Sequence, residues 1–497
     1  MNKVNPLVLP TIALSLMTVV SAVAGLNLAL PGIAVETEAS QSQLTWIVDS
    51  YTVVFAGLLF LAGAIGDRFG RQRILLIGLI IFAAGAAFGF FQTEPEGLIA
   101  SRTIMGIGAS AIMPATLSVI TTSFPPERRG KAVGVWVGVA GGGAVLGLFA
   151  TAFLLEAFEW NSFFALNVAL AIISIFGTLL VPNSRDENAH RLDWLGGLLS
   201  VAAVGGLVFG IIEGPEKGWD SAETVWGLTV GALSLVAFVL WELRTPHPLL
   251  DPRLFRIRGF SSGSLSITIQ FFAQFGFIFV GMQYLQFVAG KTPLEAAAQL
   301  LWMPLVVLPG SRIAGALSRF VSQKILGGVG LALFGLSMFH FAQLPVEFDY
   351  WYFTFGILMF GSGLALSATP ATVAITAALP ESKQGVASAM NDTAREVGSA
   401  VGIAILGAAL TETYKTEIAA VAEKLPAELG EKVSSSVAFT QVEPPSQLAA
   451  QWPDLVSAGL DAFNAGVESA LTIAGWVSLM GAVLIVLLAP SKKNEKA

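Results

Sequence analysis

Apolar residues in this chain come in runs of about spanning length, parted by short polar breaks, from one end to the other. The runs lie near 8–34, 46–66, 73–92, 98–122, 131–155, 162–182, 193–213, 224–241, 259–289, 296–320, 324–343, 350–378, 386–411 and 470–489. A helix needs about 20 mostly apolar residues to cross a hydrocarbon core roughly 30 Å thick. The pattern therefore predicts an all-α membrane protein with fourteen transmembrane helices. The first run, Leu7 to Ala34, follows a basic start at Lys3 in the manner of a signal peptide. Its length, and the many similar runs after it, predict a retained first span.

Lysine and arginine test the count independently, because they collect in cytoplasmic loops. With the N-terminus inside, 19 of the 27 fall on one side: Lys3, Arg68–Arg73, Arg128–Lys131, Arg185–Arg191, Arg244–Arg258, Arg319–Lys324, Lys383 and Lys492–Lys496. The opposite loops hold only Lys217, Lys291, Lys415, Lys424 and Lys432, while Arg102, Arg312 and Arg395 stay within or beside helices. This alternation predicts an even helix count with both termini cytoplasmic. Two segments interrupt it. The stretch Glu412 to Glu468 is polar and acidic and carries Pro426, Pro444, Pro445 and Pro453, so it reads as a large outside loop with short helices. The pair near 193–241 is flanked by polar basic loops and reads as an insertion. The expected organisation is an N-terminal six-helix bundle, 1–184, a two-helix linking insertion, 185–255, and a C-terminal six-helix bundle, 256–497, with extracellular loop 412–468.

Composition agrees and removes other classes. A chain that is 54% hydrophobic and 12% charged, with mean hydropathy +0.73, lies outside the range of soluble domains. Its glycines and prolines sit inside apolar runs, where membrane helices use them for packing and hinges. The absence of cysteine excludes disulfides and thiolate chemistry. Three scattered histidines, His190, His247 and His340, argue against a metal centre. A net charge of -7 argues against a nucleic-acid partner. GGGAVLG, Gly141 to Gly147, lies inside a span and lacks the Lys-Ser/Thr of a phosphate loop. No nucleophile cluster marks an enzyme, and no cofactor is expected.

The chemistry-bearing residues form three groups. The loop after the second run reads GDRFGRQR, in which Gly66 and Gly70 permit a tight turn while Asp67, Arg68 and Arg71 can bond helix ends. Charges inside spans are costly and so are candidates by default: Arg102 in the fourth run, Asp49 near the outer end of the second, and Asp392, Arg395 and Glu396 in the thirteenth. Snorkelling is the alternative for Arg102, and end-capping for Asp49. The last three share one helical face, where Arg395 can pair with Asp392 and leave Glu396 available. A carboxyl withdrawn from water disfavours its charged form, as a proton carrier requires; a self-neutralised gate is the other reading. Asn27, Asn167, Gln270, Gln274 and Asn391, with Trp302 and Phe271, are candidates to line a cavity, although amides also glue helices together.

GDRFGRQR resembles the cytoplasmic signature of the major facilitator superfamily. WIVDSY (Trp46 to Tyr51), SRTIMGIGASAIMPATLS (Ser101 to Ser118), HPLLDPRLFRIRGFSSG (His247 to Gly263) and NDTAREVGSAVG (Asn391 to Gly402) resemble its fourteen-helix drug:proton antiporter branch, in particular the quaternary-ammonium exporters. The resemblance implies two six-helix bundles plus the insertion. It also implies proton-coupled export of small amphipathic compounds by alternating access, with Arg102 serving coupling. The sequence departs from that pattern at Ala22, Val307 and Leu148, where the exporters carry an aspartate, an acidic residue and a proline. These departures leave open a lipid or metabolite exporter or facilitator without obligatory proton antiport. A non-transporting membrane assembly partner is the reading from another class. The expected partners are a small amphipathic or lipid-like substrate, protons and membrane lipids, acting on a monomer in the plasma membrane.

Overall fold

In lipid a backbone must satisfy its own hydrogen bonds, and long apolar runs do so as helices. The computed structural model describes residues 6–185, 192–318, 320–380, 384–444 and 448–490, and these contain helices and no strand. Lys3, His190, Arg191, Arg319, Lys383, Pro445, Lys492, Lys493 and Lys496 lie outside them. The helices are α1 (Val8–Thr37), α2 (Gln41–Phe69), α3 (Arg71–Phe90), α4 (Pro95–Ser123), α5 (Pro126–Leu155), α6 (Ser162–Thr178), α7 (Trp194–Lys217) and α8 (Ala222–Glu242). They continue with α9 (Arg258–Gln283), α10 (Pro293–Gln299), α11 (Trp302–Leu317), α12 (Gln323–Ala342), α13 (Tyr350–Ala377), α14 (Gln384–Ala422), α15 (Ala427–Ser435) and α16 (Trp452–Leu488).

Among the described residues, 12 helices are long and apolar enough to cross a membrane, where the sequence predicts fourteen. The other two predicted runs are also helical but shorter, Gly143–Leu155 within α5 and Ser162–Thr178. Leu198, Trp226, Leu305 and Leu308 are more than 60% exposed, an apolar surface that only a membrane tolerates on this scale.

Two predicted spans differ in detail. The tenth run is broken into α10 and α11, because the ring of Pro304 clashes with the carbonyl four residues back, at Leu300. The chain crosses that point with tighter bonds from Leu300 and Leu301 N–H to Ala297 and Ala298. Thr292 and Glu295 close a capping box at the start of α10, which fixes where the span begins. The predicted outside loop, 412–468, is narrower than expected. α14 runs on to Ala422 and α16 already starts at Trp452. At 1.5 Å per residue, the 39 residues of α14 make about 58 Å, nearly twice the hydrocarbon thickness. The extension is packed: the Tyr414 hydroxyl donates to the Val433 carbonyl at 2.7 Å. Lys432 Nζ meets Glu38 Oε1 at 2.9 Å and Lys415 Nζ meets Glu216 Oε2 at 3.1 Å. The hydrogen bond and charge of Glu38 raise the Lys432 pKa above its ordinary value.

The helices divide into two units. The first holds α1, α2 from Trp46, α3 to α6, α7 as far as Leu207 and α8 from Thr229. The second holds residues 38–45, α7 from Val208, α8 as far as Leu228, and α9 to α16. The two helices of the predicted insertion are thus shared between the units.

Within the first unit α3 packs on α4 and α6, α1 on α4, α5 and α6, and α5 on α4 and α6. The second repeats this set with α9, α12, α13, α14 and α16 in place of α1, α3, α4, α5 and α6. The closest crossings repeat as well. A methyl group on Gly78 would stand 2.9 Å from the Gly108 carbonyl oxygen, and one on Gly330 would stand 2.9 Å from that of Gly363. Small residues let membrane helices approach and gain van der Waals contact, and the same device is used at the same crossing in both units.

Candidate functional site

In the first unit the charged residues are sealed. Arg102 is about 10 Å along α4 from Pro95, and Asp49 about 12 Å along α2 from Gln41; both are fully buried. Because α2 starts five residues before the predicted run, Asp49 is an enclosed group and not an end cap. Its carboxylate accepts from the Thr52 hydroxyl, and Oδ2 has no hydrogen-bond partner among the described residues. Arg102 donates through Nε to the Ile47 carbonyl at 3.2 Å, and its Cζ lies 4.2 Å from the centre of the Tyr51 ring. Nη1 and Nη2 find no hydrogen-bond partner among the described residues. The ring is held in turn, since the Tyr51 hydroxyl donates to the Val19 carbonyl at 3.3 Å. A desolvated cation–π contact contributes about 2 kcal/mol, against several kcal/mol for burying an ion. The fold therefore carries a net cost at this point, a mark of function inside a membrane.

In the second unit the charges stand on a more open face. Asp392 is 9% exposed, while Arg395 and Glu396 are half-buried. The pair predicted between Arg395 and Asp392 is replaced by a different contact: the Arg395 guanidinium lies over Phe271 of α9, 5.3 Å from the ring centre. Phe271 is stacked on Phe275, with centroids 5.6 Å apart. The half-buried positions of α9 follow one stripe, Leu265, Thr268, Phe271, Gln274, Phe275 and Ile278. Glycines press that side of α9 onto α14: a methyl on Gly398 would collide with the Thr268 carbonyl oxygen, and one on Gly402 with that of Phe272. Asn391 is buried and accepts from the Thr372 hydroxyl at 3.3 Å.

The GDRFGRQR turn is built as its glycines require. Gly70 has φ 115, a left-handed conformation that side chains disfavour, and a methyl there would be 2.6 Å from Asn183 Oδ1. Asp67 and Arg71 form a 2.8 Å ion pair, and the Arg71 N–H donates to the Ser184 carbonyl at 2.8 Å. Gln72 reaches the Thr178 carbonyl at 3.1 Å. The turn is thus locked onto the end of α6. Arg68 is exposed and leans over Phe69, outside that network. Gly66 is buried.

The amides behave mostly as packing groups. Asn27, Asn167 and Gln270 are sealed and donate to Val23, Phe163 and Ser266 on their own helices, each leaving its oxygen without a hydrogen-bond partner among the described residues. Trp302 donates to the Tyr350 hydroxyl at 3.0 Å, a tie between α11 and α13. Gln274 alone of the predicted α9 pair stands half-buried on the open stripe. Ala22 is buried and Val307 half-buried where the exporters carry acids, and Leu148 is buried where they carry a proline. Sequence reasoning missed Tyr51, Asn183 and Ser184. Tyr51 could have been found as the aromatic residue beside Asp49, whereas the last two are more than a hundred residues from the turn they hold. A recess of about 330 Å³ between α1 and α5, bordered by Leu14, Met17 and Leu146, has no ionisable lining and adds no chemistry.

Repeated helical units with ionisable groups buried in their spans define a multi-pass membrane transporter, not an enzyme. Residues 12–403 match the family model of the Major Facilitator Superfamily, and the chain belongs to that family. It is 31% identical over 414 residues to the multidrug resistance protein Stp of Mycobacterium tuberculosis (strain CDC 1551 / Oshkosh), covering 82% of this chain and 76% of Stp. It is 32% identical over 473 residues to the multidrug efflux pump LfrA of Mycolicibacterium smegmatis, covering 93% of this chain and 91% of LfrA. The crystal structure of a bacterial homolog to human lysosomal transporter Spinster, inward-facing and unoccupied, superposes with TM-score 0.65 at 17% identity, covering 98% of this chain and 99% of that one. That likeness concerns the fold. The protein is a plasma-membrane transporter with an all-helical major facilitator fold.

Proposed function

We propose that this transporter exports small amphipathic compounds in exchange for protons, by alternating access. The relatives named for multidrug resistance and efflux support the substrate class. The observation that carries coupling is that Asp392 and Glu396 stand on the same face of α14 as Arg395 without an ion pair, while the Arg395 guanidinium lies over Phe271; Asp49 of α2 and Arg102 of α4 are a second buried carboxyl and arginine, also outside any ion pair among the described residues. Such groups can gain and lose a proton, whereas salt-bridged ones are held charged. In this reading Asp392, Glu396 and Arg395 carry the coupling, Asp49 and Arg102 assist, and the turn formed by Gly66, Asp67, Arg68, Gly70 and Arg71 closes the cytoplasmic side. Gln274 and the Phe271–Phe275 stack touch substrate, while Asn27, Asn167 and Gln270 are sealed packing groups bonded within their own helices.

The same proposal includes fourteen spans, with α5 and α6 added to the 12 and both termini cytoplasmic. It includes a monomer in contact with membrane lipids, since one chain already contains both repeats. The apolar Ala22 and Val307 favour a second reading, a lipid or metabolite facilitator, because charge pairing for a lipophilic cation is weaker without acids there. Purified protein in liposomes decides between them. Flux of a dye substrate driven by an imposed pH gradient and abolished by a protonophore is the expected result, and flux indifferent to the gradient overturns coupling.

A further inference from the structure

Both intramembrane arginines that carry the proposed coupling rest on an aromatic ring of a neighbouring helix. Arg102 of α4 lies over Tyr51 of α2, and Arg395 of α14 over Phe271 of α9. Carboxyls flank Arg395 on its own helix, Asp392 and Glu396, whereas Asp49, two residues from Tyr51, does not share the Tyr51 face of α2. Neither arginine is among the ion pairs of the described residues, although the Arg395 charge still acts on Asp392 and Glu396 through space. Nη1 and Nη2 of Arg102 and Nε of Arg395 are buried without a hydrogen-bond partner among the described residues. The arrangement recurs with different helices and a different ring, so it does not follow from one local packing accident.

We propose that Phe271 is a positioning residue: its ring holds the Arg395 guanidinium by the π face and keeps it out of an ion pair with Asp392 and Glu396, which stay free to exchange a proton. The proposal rests on the proton-coupling reading. A guanidinium that moved from Phe271 onto Asp392 or Glu396, one turn or less away on α14, would form an ordinary helical pair and hold that carboxyl in its charged form. Phe271 is itself fixed by Phe275 behind it and by the Gly398 and Gly402 seam that presses α9 onto α14.

Few other charges compete within the second unit. Across from α14, the only ionisable side chain of α9 is Arg258 at its first residue, engaged with the Leu487 and Leu488 carbonyls. α13 offers Tyr350 and Tyr352 in its first turn, and α16 offers Asp454, Asp461 and Glu468 in its outer half. α15, with Glu428, Glu431 and Lys432, packs on the far extension of α14. The groups that face Arg395 at its own level are therefore Asp392 and Glu396.

Carboxyl protonation of the purified protein, followed by infrared difference spectroscopy against pH, reads this role without any flux. Phe271→Leu is expected to move the carboxyl profile to lower pH by about one unit, as a guanidinium counter-charge does, while Phe271→Tyr and Phe271→Trp leave it as in the wild type. A Phe271→Leu profile that coincides with the wild type, or Tyr and Trp variants displaced as far as Leu, overturns the positioning role. The liposome assay is run beside it: a wild-type flux that ignores the pH gradient removes coupling, whatever the infrared profile shows.

Discussion

The charge site of the first unit and that of the second use the same chemistry at different depths of enclosure. Arg102 and Asp49 are fully sealed between α2 and α4, whereas Arg395 and Glu396 stand half-buried beside a stripe of aromatic and amide side chains. A sealed charge is maintained by packing and can respond only when helices move. An open one can meet water or substrate directly. In the proposed coupling, the first site senses a change of conformation and the second takes up proton and substrate.

The strongest way to break this comparison is to remove each arginine. Arg395→Leu should lower gradient-driven flux about 100-fold, the loss of roughly 2.7 kcal/mol of coupling. Arg102→Leu, which removes an assisting group, should lower it about tenfold. Equal losses would show that enclosure does not set function. Because the chain has no cysteine, single thiols can report access without background. Glu396→Cys should react with a polar maleimide about tenfold faster than Asp49→Cys, as exposure governs thiol reactivity, and similar rates would erase the contrast.

A finer test concerns stability. Tyr51→Phe removes one buried hydrogen bond to Val19 and should lower stability by about 1 kcal/mol, read as a lower melting temperature. The same ring change in the other unit, Phe271→Tyr, should leave melting unchanged, because its face is half-open. The smallest effect is expected far from both sites. Glu38 raises the Lys432 pKa, so the pair's contribution is present at neutral pH and is lost only as pH rises through that raised value. Lys432→Ala should leave flux and melting unchanged at pH 7, since exposed pairs contribute little.

Much of the fold was legible before the structure. The runs gave the helices, of which 12 among the described residues are long and apolar enough to cross a membrane, and GDRFGRQR gave a tight turn that needs the left-handed backbone at Gly70 and its contact with Asn183. The clustering of Asp392, Arg395 and Glu396 on one face was also readable from their spacing. Their partners were not. Arg395 turned to Phe271, 124 residues earlier in the chain, and spacing along one helix says nothing about which ring stands opposite. The extent of loop 412–468 was misjudged because polar extensions of α14 and α16 carry no spanning signal even though they remain helical.

By itself the sequence determined that this chain lives in a membrane, that its long apolar runs are helical and which loops carry the basic charge, because those properties depend on residues adjacent along the chain. Only the tertiary structure decided which polar residues are sealed, which are open and which arginine rests on which ring. Those outcomes depend on side chains tens to hundreds of residues apart meeting across helix crossings close enough that only glycine fits.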